Sequence, residues 1–176
     1  MSFPAKVDGF GTRLDTSTGK FDKVNSGAAK GKFVRLFASE PIEKGMAVVF
    51  DFRDTEPVNK YGTTVMKCDN NASHDDGLRK QCVIGVAAEA TTDVSSAAAS
   101  AAAPVLIEIQ VAGLCDYAQI TAKSGLESGD PLNASDTPGE LKLVAEDETL
   151  YAAIHCKDGT DGAADSTIFL LNPANL

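Results

Sequence analysis

The chain has 176 residues, with 25 acidic against 16 basic side chains and a formal charge of −9 at pH 7. A single domain of this length can bury its own core without disulfides or metals. No segment approaches the run of about 18 apolar residues needed to span a membrane, and so negative a charge argues against a general nucleic-acid binder, which needs a basic face to displace counterions. Met1 to Lys6 is followed by no apolar stretch, so no export leader is expected and the product is expected to be made in a cytosol.

Charge is unevenly spread. Residues 1–38 hold seven basic side chains against three acids, a net +4 that leaves −13 on the remainder. Residues 1–31 are rich in Gly, Ser, Thr, Asp and Lys and too poor in large apolar residues to build a core. They are expected to be an arm, extended or disordered until bound, preceding a β-rich domain at 32–176. The candidate partner-binding residues are the spaced aromatics Phe3, Phe10 and Phe21 and the cations Lys6, Arg13, Lys20, Lys23, Lys30, Lys32 and Arg35. Basic charge on an acidic body fits docking onto an acidic partner. A solvated tail, or phenylalanines folded back on their own domain, fits the same composition.

From residue 32 the pattern is strand and turn. Lys32 to Ala38 is a short strand. Met46 to Phe52 places Met46, Val48, Phe50 and Phe52 on one face, the period of two that marks a half-buried strand. Thr63 to Cys68 is β-branched, and Cys82 to Ala87 is a short apolar run. Val105 to Val111 sets Val105, Ile107, Ile109 and Val111 against Glu108 and Gln110. Tyr117–Ala122, Leu141–Val144, Tyr151–Cys156 and Thr167–Leu171 follow. Gly, Pro and Asp cluster between them, so the expected fold is all-β: an antiparallel barrel, β-tulip-like body or sandwich. The Ala/Ser stretch 95–103 has helix propensity but is too short to stand alone, and reads as an exposed insertion. Pro41 to Val48 and Gly125 to Leu132 share a rhythm of apolar residue, Glu, one residue, then Gly ahead of a strand, in which the glycine supplies a positive φ.

No constellation favours catalysis. His74 lies in a polar loop beside Ser73 and Asp75, but a triad needs a base held by a buried acid, which adjacency in sequence does not provide. His155 and Cys156 alternate on a strand and so point to opposite sides, unable to share one metal. It is expected to be structural, at a sheet face or a subunit seam. Cys68 and Cys82 bracket the His74 loop. Zinc or a disulfide is conceivable there, yet the spacing fits no standard zinc pattern, and free thiols are expected of a cytosolic product. The acidic clusters fit no calcium loop. The two Asn-Ala-Ser sequons, at Asn71 and Asn133, signify nothing without secretion. No cofactor, metal or small-molecule substrate is expected, and the chain reads as non-catalytic.

Several segments in succession resemble phage capsid decoration (head cement) proteins. They are Val83 to Ala87, the Ala-rich segment, Val105 to Val111 running into Ala112-Gly113-Leu114, Ser124 to Leu132 with its Gly129-Asp130 pair, Ala152 to Ile154, and the final apolar strand into Leu171-Asn172-Pro173. Glu40 to Val48 resembles the family's first strand entry, so the likeness spans roughly residues 39–173. The longer arm and the insertion at 88–104 depart from the pattern. The resemblance implies a compact β-body, usually a homotrimer, seated on the outside of a virion and bridging neighbouring major capsid subunits, with no nucleic-acid or membrane partner. A head-fibre or tail module that binds the host surface is the alternative, weakened by the absence of Trp and by only three Tyr.

Overall fold

The computed structural model describes residues 31–51, 63–70, 83–121, 125–144, 151–156 and 166–171, together with the backbone of Arg13–Leu14 and Phe21–Asp22. The expected all-β fold is present and is built around a closed five-stranded barrel. Its strands are β3 (Lys32–Ala38), β4 (Ala47–Phe50), β5 (Thr64–Lys67), β6 (Gly85–Ala87) and β7 (Val105–Ala118), paired in the order β3-β5-β4-β6-β7 and back to β3. Every pairing in the ring is antiparallel except β3–β5, which runs parallel through only Phe37↔Thr64 and Ala38↔Val65.

β7 is the spine of the molecule. Val105 to Ala112 pairs with β3, while Gly113 to Ala118 pairs with β11 (Ser166–Leu170). β11 then leads through β10 (Ala153–His155) and β8 (Pro131–Ala134) to β9 (Leu141–Leu143). The strand expected at 105–111 therefore runs on to Ala118, 14 residues in all, and takes in only the first two residues of the strand expected at 117–122, of which Ile120 forms an isolated bridge to Leu141. Gly113 makes the passage possible: its φ of 91° is open to glycine at no steric cost, and it stands where β7 leaves one sheet and enters the next.

Two cores result. Val48, Val65, Ile107 and Ile109 fill the barrel with Ala38 and Ala87, and Ile42 plugs it. Ala47, Val49, Met66 and Val86, on the outer side of the same strands, pack against Leu132, Leu141, Ile168, Leu170 and Cys115 of the second sheet. This corrects the half-buried reading of Met46 to Phe52. Within β4 both parities are covered, so Val48 and Val49 are each fully buried inside one chain. Phe50 is half-buried against the barrel core, and Phe52 lies outside the described residues.

The paired Glu-x-Gly turns behave alike. Met46 N–H donates to Glu43 C=O and Asp130 N–H to Glu127 C=O, both at 3.2 Å. Gly45 and Gly129 have φ of 89° and 105°, the third-position geometry of a type II turn. Each turn buries its leading apolar residue, Ile42 or Leu126, and launches a strand, β4 in the barrel or β8 beyond it. The Ala/Ser stretch forms no helix. The one short helix among the described residues, α1 (Thr91–Val94), precedes it, and Ala99 reaches into the barrel core, so the stretch is not wholly exposed.

Candidate functional site

β3 is the exception to this burial. Lys32, Phe33, Val34 and Arg35 are all exposed, Leu36 is half-buried, and only Ala38 is fully covered. Pairing with β7 places Phe33 opposite Gln110, Arg35 opposite Glu108 and Phe37 opposite Leu106. Directly paired residues share a face, so Phe33, Arg35, Phe37, Leu106 and Glu108 form one outer surface. Its apolar members are 48% (Phe33), 41% (Phe37) and 39% (Leu106) exposed. Single exposed apolar residues are ordinary, but two phenylalanines and a leucine on one strand pair are the kind of patch that marks an interaction surface.

The charges on this face are loosely held. The Arg35 guanidinium is 3.9 Å from Glu89, at the limit of an ion pair, and the Arg35 side chain is 61% exposed. The same Glu89 oxygen accepts the Glu108 backbone N–H at 2.8 Å, which fixes Glu89 to the barrel and leaves Arg35 the more exposed partner. At the far end the face stops at Gln110, which is buried. Its amide donates to the Leu114 carbonyl at 2.7 Å and its oxygen accepts the Tyr117 hydroxyl at 2.7 Å. The Lys44 ammonium sits 5.0 Å above the Tyr117 ring, a cation–π contact that closes this corner.

The second feature of β3 is its other edge. Phe37 N–H donates across the seam to Thr63 C=O. Backbone groups alternate along a strand, so the N–H and C=O groups of Phe33 and Arg35 point to that same side. β7 agrees: Glu108, opposite Arg35, turns its own backbone away from β3, towards Glu89 and Ala88. Among the described residues no strand pairs with Lys32 to Leu36 on this edge, opposite to the one that β7 occupies. Along this seam the barrel is closed through only two residue pairs, and Val34, although it points inward, is 38% exposed.

Of the residues singled out in the sequence, Lys32 and Arg35 lie on this strand. Arg13 and Phe21 belong to a small hairpin in which β1 (Arg13–Leu14) pairs with β2 (Phe21–Asp22), so that Arg13 opposes Asp22 and Phe21 opposes Leu14. Phe3, Lys6, Phe10, Lys20, Lys23 and Lys30 lie outside the described residues, as do His74 and Cys82. Phe33, Phe37 and Leu106 were not singled out. Their signal was a strand with large apolar residues at both parities, and a leucine on the side of β7 opposite to Ile107 and Ile109.

Elsewhere the candidate chemistry is committed to structure. His155 is buried, its Nδ1 lies 3.1 Å from the Glu127 carbonyl, and its backbone bonds to Gly129 and Asp130, so it fastens the β8 turn to β10 inside the chain rather than at a subunit seam. Cys68 and Cys115 are buried free thiols, pushed up by burial to about 12 and about 11, while Cys156 is an exposed free thiol, also raised by desolvation. An open cleft of about 500 Å³ is lined by Thr121, Leu126, Ser135, Asp136, Lys142 and Leu143. Beside it Thr137 N–H donates to Ser135 Oγ, the Ser135 and Thr121 hydroxyls are 2.7 Å apart, and Thr121 donates to Glu140. Each hydroxyl proton has an acceptor, and the relay clamps the turn after β8 onto the end of β7. Among the described residues no group of three His, Cys, Asp or Glu side chains is placed to hold a metal ion. No family model, curated protein or solved structure matches this chain.

Proposed function

We propose that this chain is a structural virion protein that seats on the outside of a phage capsid, as a homotrimer, and cements neighbouring major capsid subunits. The observation that carries the reading is the aromatic strip of Phe33, Phe37 and Leu106 on the outside of a body whose other strands are mostly buried. Its two phenylalanines lie on β3, which follows a segment of opposite charge to the rest of the chain. An apolar strip flanked by Lys32 and Arg35 suits a flat protein surface carrying carboxylates better than it suits a small solute. Many copies on one shell add weak individual contacts into firm attachment. The likeness in strand rhythm to decoration proteins points the same way.

The test is co-sedimentation of the full-length protein with undecorated shells over a range of salt concentrations. Binding that raises the temperature at which the shells burst, and that weakens as salt screens the basic segment, is expected. Absence of binding at low salt would overturn the reading. A solution mass of about three times the 18.3 kDa chain is expected of the free protein.

A further inference from the structure

We infer that the free edge of β3 accepts an added strand from the partner: an extended segment with an apolar side chain to lie beside Phe33 and a carboxylate to lie beside Arg35. The inference rests on the proposed function, in which that segment belongs to a shell subunit.

Three observations carry it. The Phe33 and Arg35 backbone groups face the seam and have no strand partner there among the described residues, whereas Phe37 N–H is satisfied by the Thr63 carbonyl at the start of β5. A strand with two open residues in register beyond an existing pair is a template for main-chain pairing. The side chains around this edge are not those that discourage pairing. Lys32 is the only lysine on β3, the strand holds no proline, and Phe33, Val34 and Phe37 offer exposed apolar area on both sides of the strand. The charge is also complementary to one class of occupant. Residues directly opposite across a new pair share a face, so a carboxylate facing Arg35 would shorten the weak 3.9 Å contact that Arg35 now makes with Glu89. A second cation there would be repelled. A strand laid in the seam would also cover Val34 and complete the barrel wall where it is paired through only two residues.

Proline at position 35 removes one outward N–H without touching the β3–β7 ladder, since Arg35 is turned away from β7. Proline is tolerated on an open strand edge, and the residue before it prefers the extended backbone that Val34 already has. Arg35→Ala removes the charge and keeps the N–H. Binding of the full-length protein and both variants to empty shells of the cognate major capsid protein is measured by co-sedimentation, with hydrogen exchange read on the unaltered protein, free and bound. Arg35→Pro is expected to weaken binding about tenfold relative to Arg35→Ala, and the Phe33 and Arg35 amides are expected to gain protection on the shell. Equal binding by the two variants, or amides that exchange as fast on the shell as off it, overturns strand addition while leaving the cementing role intact. Shells that fail to bind the unaltered protein overturn the role itself, and strand addition with it. If Arg35→Pro does not fold, protection of the two amides decides alone.

Discussion

The barrel treats its two sides differently. Where β4, β5 and β6 face the second sheet, both surfaces of each strand are covered, so that adjacent residues such as Val48 and Val49 enter separate cores. Where β3 and β7 run together on the far side, one surface lines the barrel and the other stands in solvent with Phe33, Phe37 and Leu106 on it. The same residue types thus do two jobs. Apolar side chains between two layers contribute the transfer free energy that holds the fold. On the β3 face they keep about two fifths to one half of their surface in solvent, contribute correspondingly less, and leave that area for whatever lands there.

The largest expected effect comes from exchanging the two environments. Truncating Ile109→Ala or Leu132→Ala, both fully buried, should cost about 2–5 kcal/mol through lost burial and a residual cavity. Phe37→Ala removes a ring that is already 41% exposed and should cost less, about 1–2 kcal/mol. Urea unfolding of the three variants measures this directly. A Phe37→Ala loss as large as that of Ile109→Ala would mean that the β3 face is covered within the chain, and the docking surface would disappear.

The turns offer a sharper comparison, because the same motif occurs in both halves of the fold. At Gly45 an added methyl would meet the Tyr117 carbonyl oxygen at 2.3 Å, besides straining a φ of +89°. At Gly129 φ is +105° and nothing lies within 4 Å. Gly129→Ala should therefore cost only the backbone term, about 1–2 kcal/mol, while Gly45→Ala adds overpacking against main chain and should reach about 2–4 kcal/mol. Equal losses would show that Tyr117 and the end of β7 give way easily, and that the corner closed by Lys44 and Gln110 is softer than its hydrogen bonds suggest.

Much of the fold was legible because it follows from local alternation. β3 has the bounds expected from Lys32 to Ala38, and the cores of β5, β9, β10 and β11 fall within their expected runs. Failures came where a neighbour, rather than the local pattern, sets the environment. Val48 and Val49 cannot both be assigned to a core by a period of two, since burial on both faces depends on a second sheet brought in by residues 131–170. Gly113 looked like the end of a strand because glycine usually interrupts one, yet here it lets β7 turn between sheets. β8 begins at Pro131, which read as part of a turn; its missing N–H is tolerated at the first residue of a strand. At the candidate site, charge drew attention to Lys32 and Arg35, but not to the aromatic residues between and beside them. Phe33 and Phe37 looked like ordinary strand residues until the pairing of β3 with β7 showed which surface they occupy.

Thiol ionisation compares interior with surface by another route. Cys68 and Cys115 are pushed from 9.0 to about 12 and about 11 by burial. An unfolded chain releases these protons near 9 while the folded chain keeps them, so the unfolded state binds fewer protons and is favoured as pH rises. Stability should be unaffected by either thiol below pH 8 and should fall above 9 by about 1.4 kcal/mol per pH unit for each thiol. The decline should continue to about 11 for Cys115 and about 12 for Cys68. Cys68→Ala should flatten the decline relative to the parent chain, and a decline unchanged by the substitution would show that Cys68 ionises freely in the folded protein.

The smallest effect concerns the ion pair on the open face, and there the two partners should behave differently. Arg35 gives a contact at 3.9 Å from a side chain that is 61% exposed. Exposed pairs of this kind are worth about 0–1 kcal/mol, so Arg35→Ala should leave the unfolding midpoint almost where it was. Glu89 has a second task, accepting the Glu108 N–H at 2.8 Å. Glu89→Ala removes that acceptor from a half-buried main-chain donor and should cost about 1 kcal/mol more. Glu89→Gln keeps an acceptor while cancelling the charge, and should behave like Arg35→Ala. If Glu89→Gln proved as damaging as Glu89→Ala, the charge itself would be holding β3 against the barrel. Arg35 would then be committed to the fold, and the face would have to bind its partner through Phe33, Phe37 and Leu106 without it.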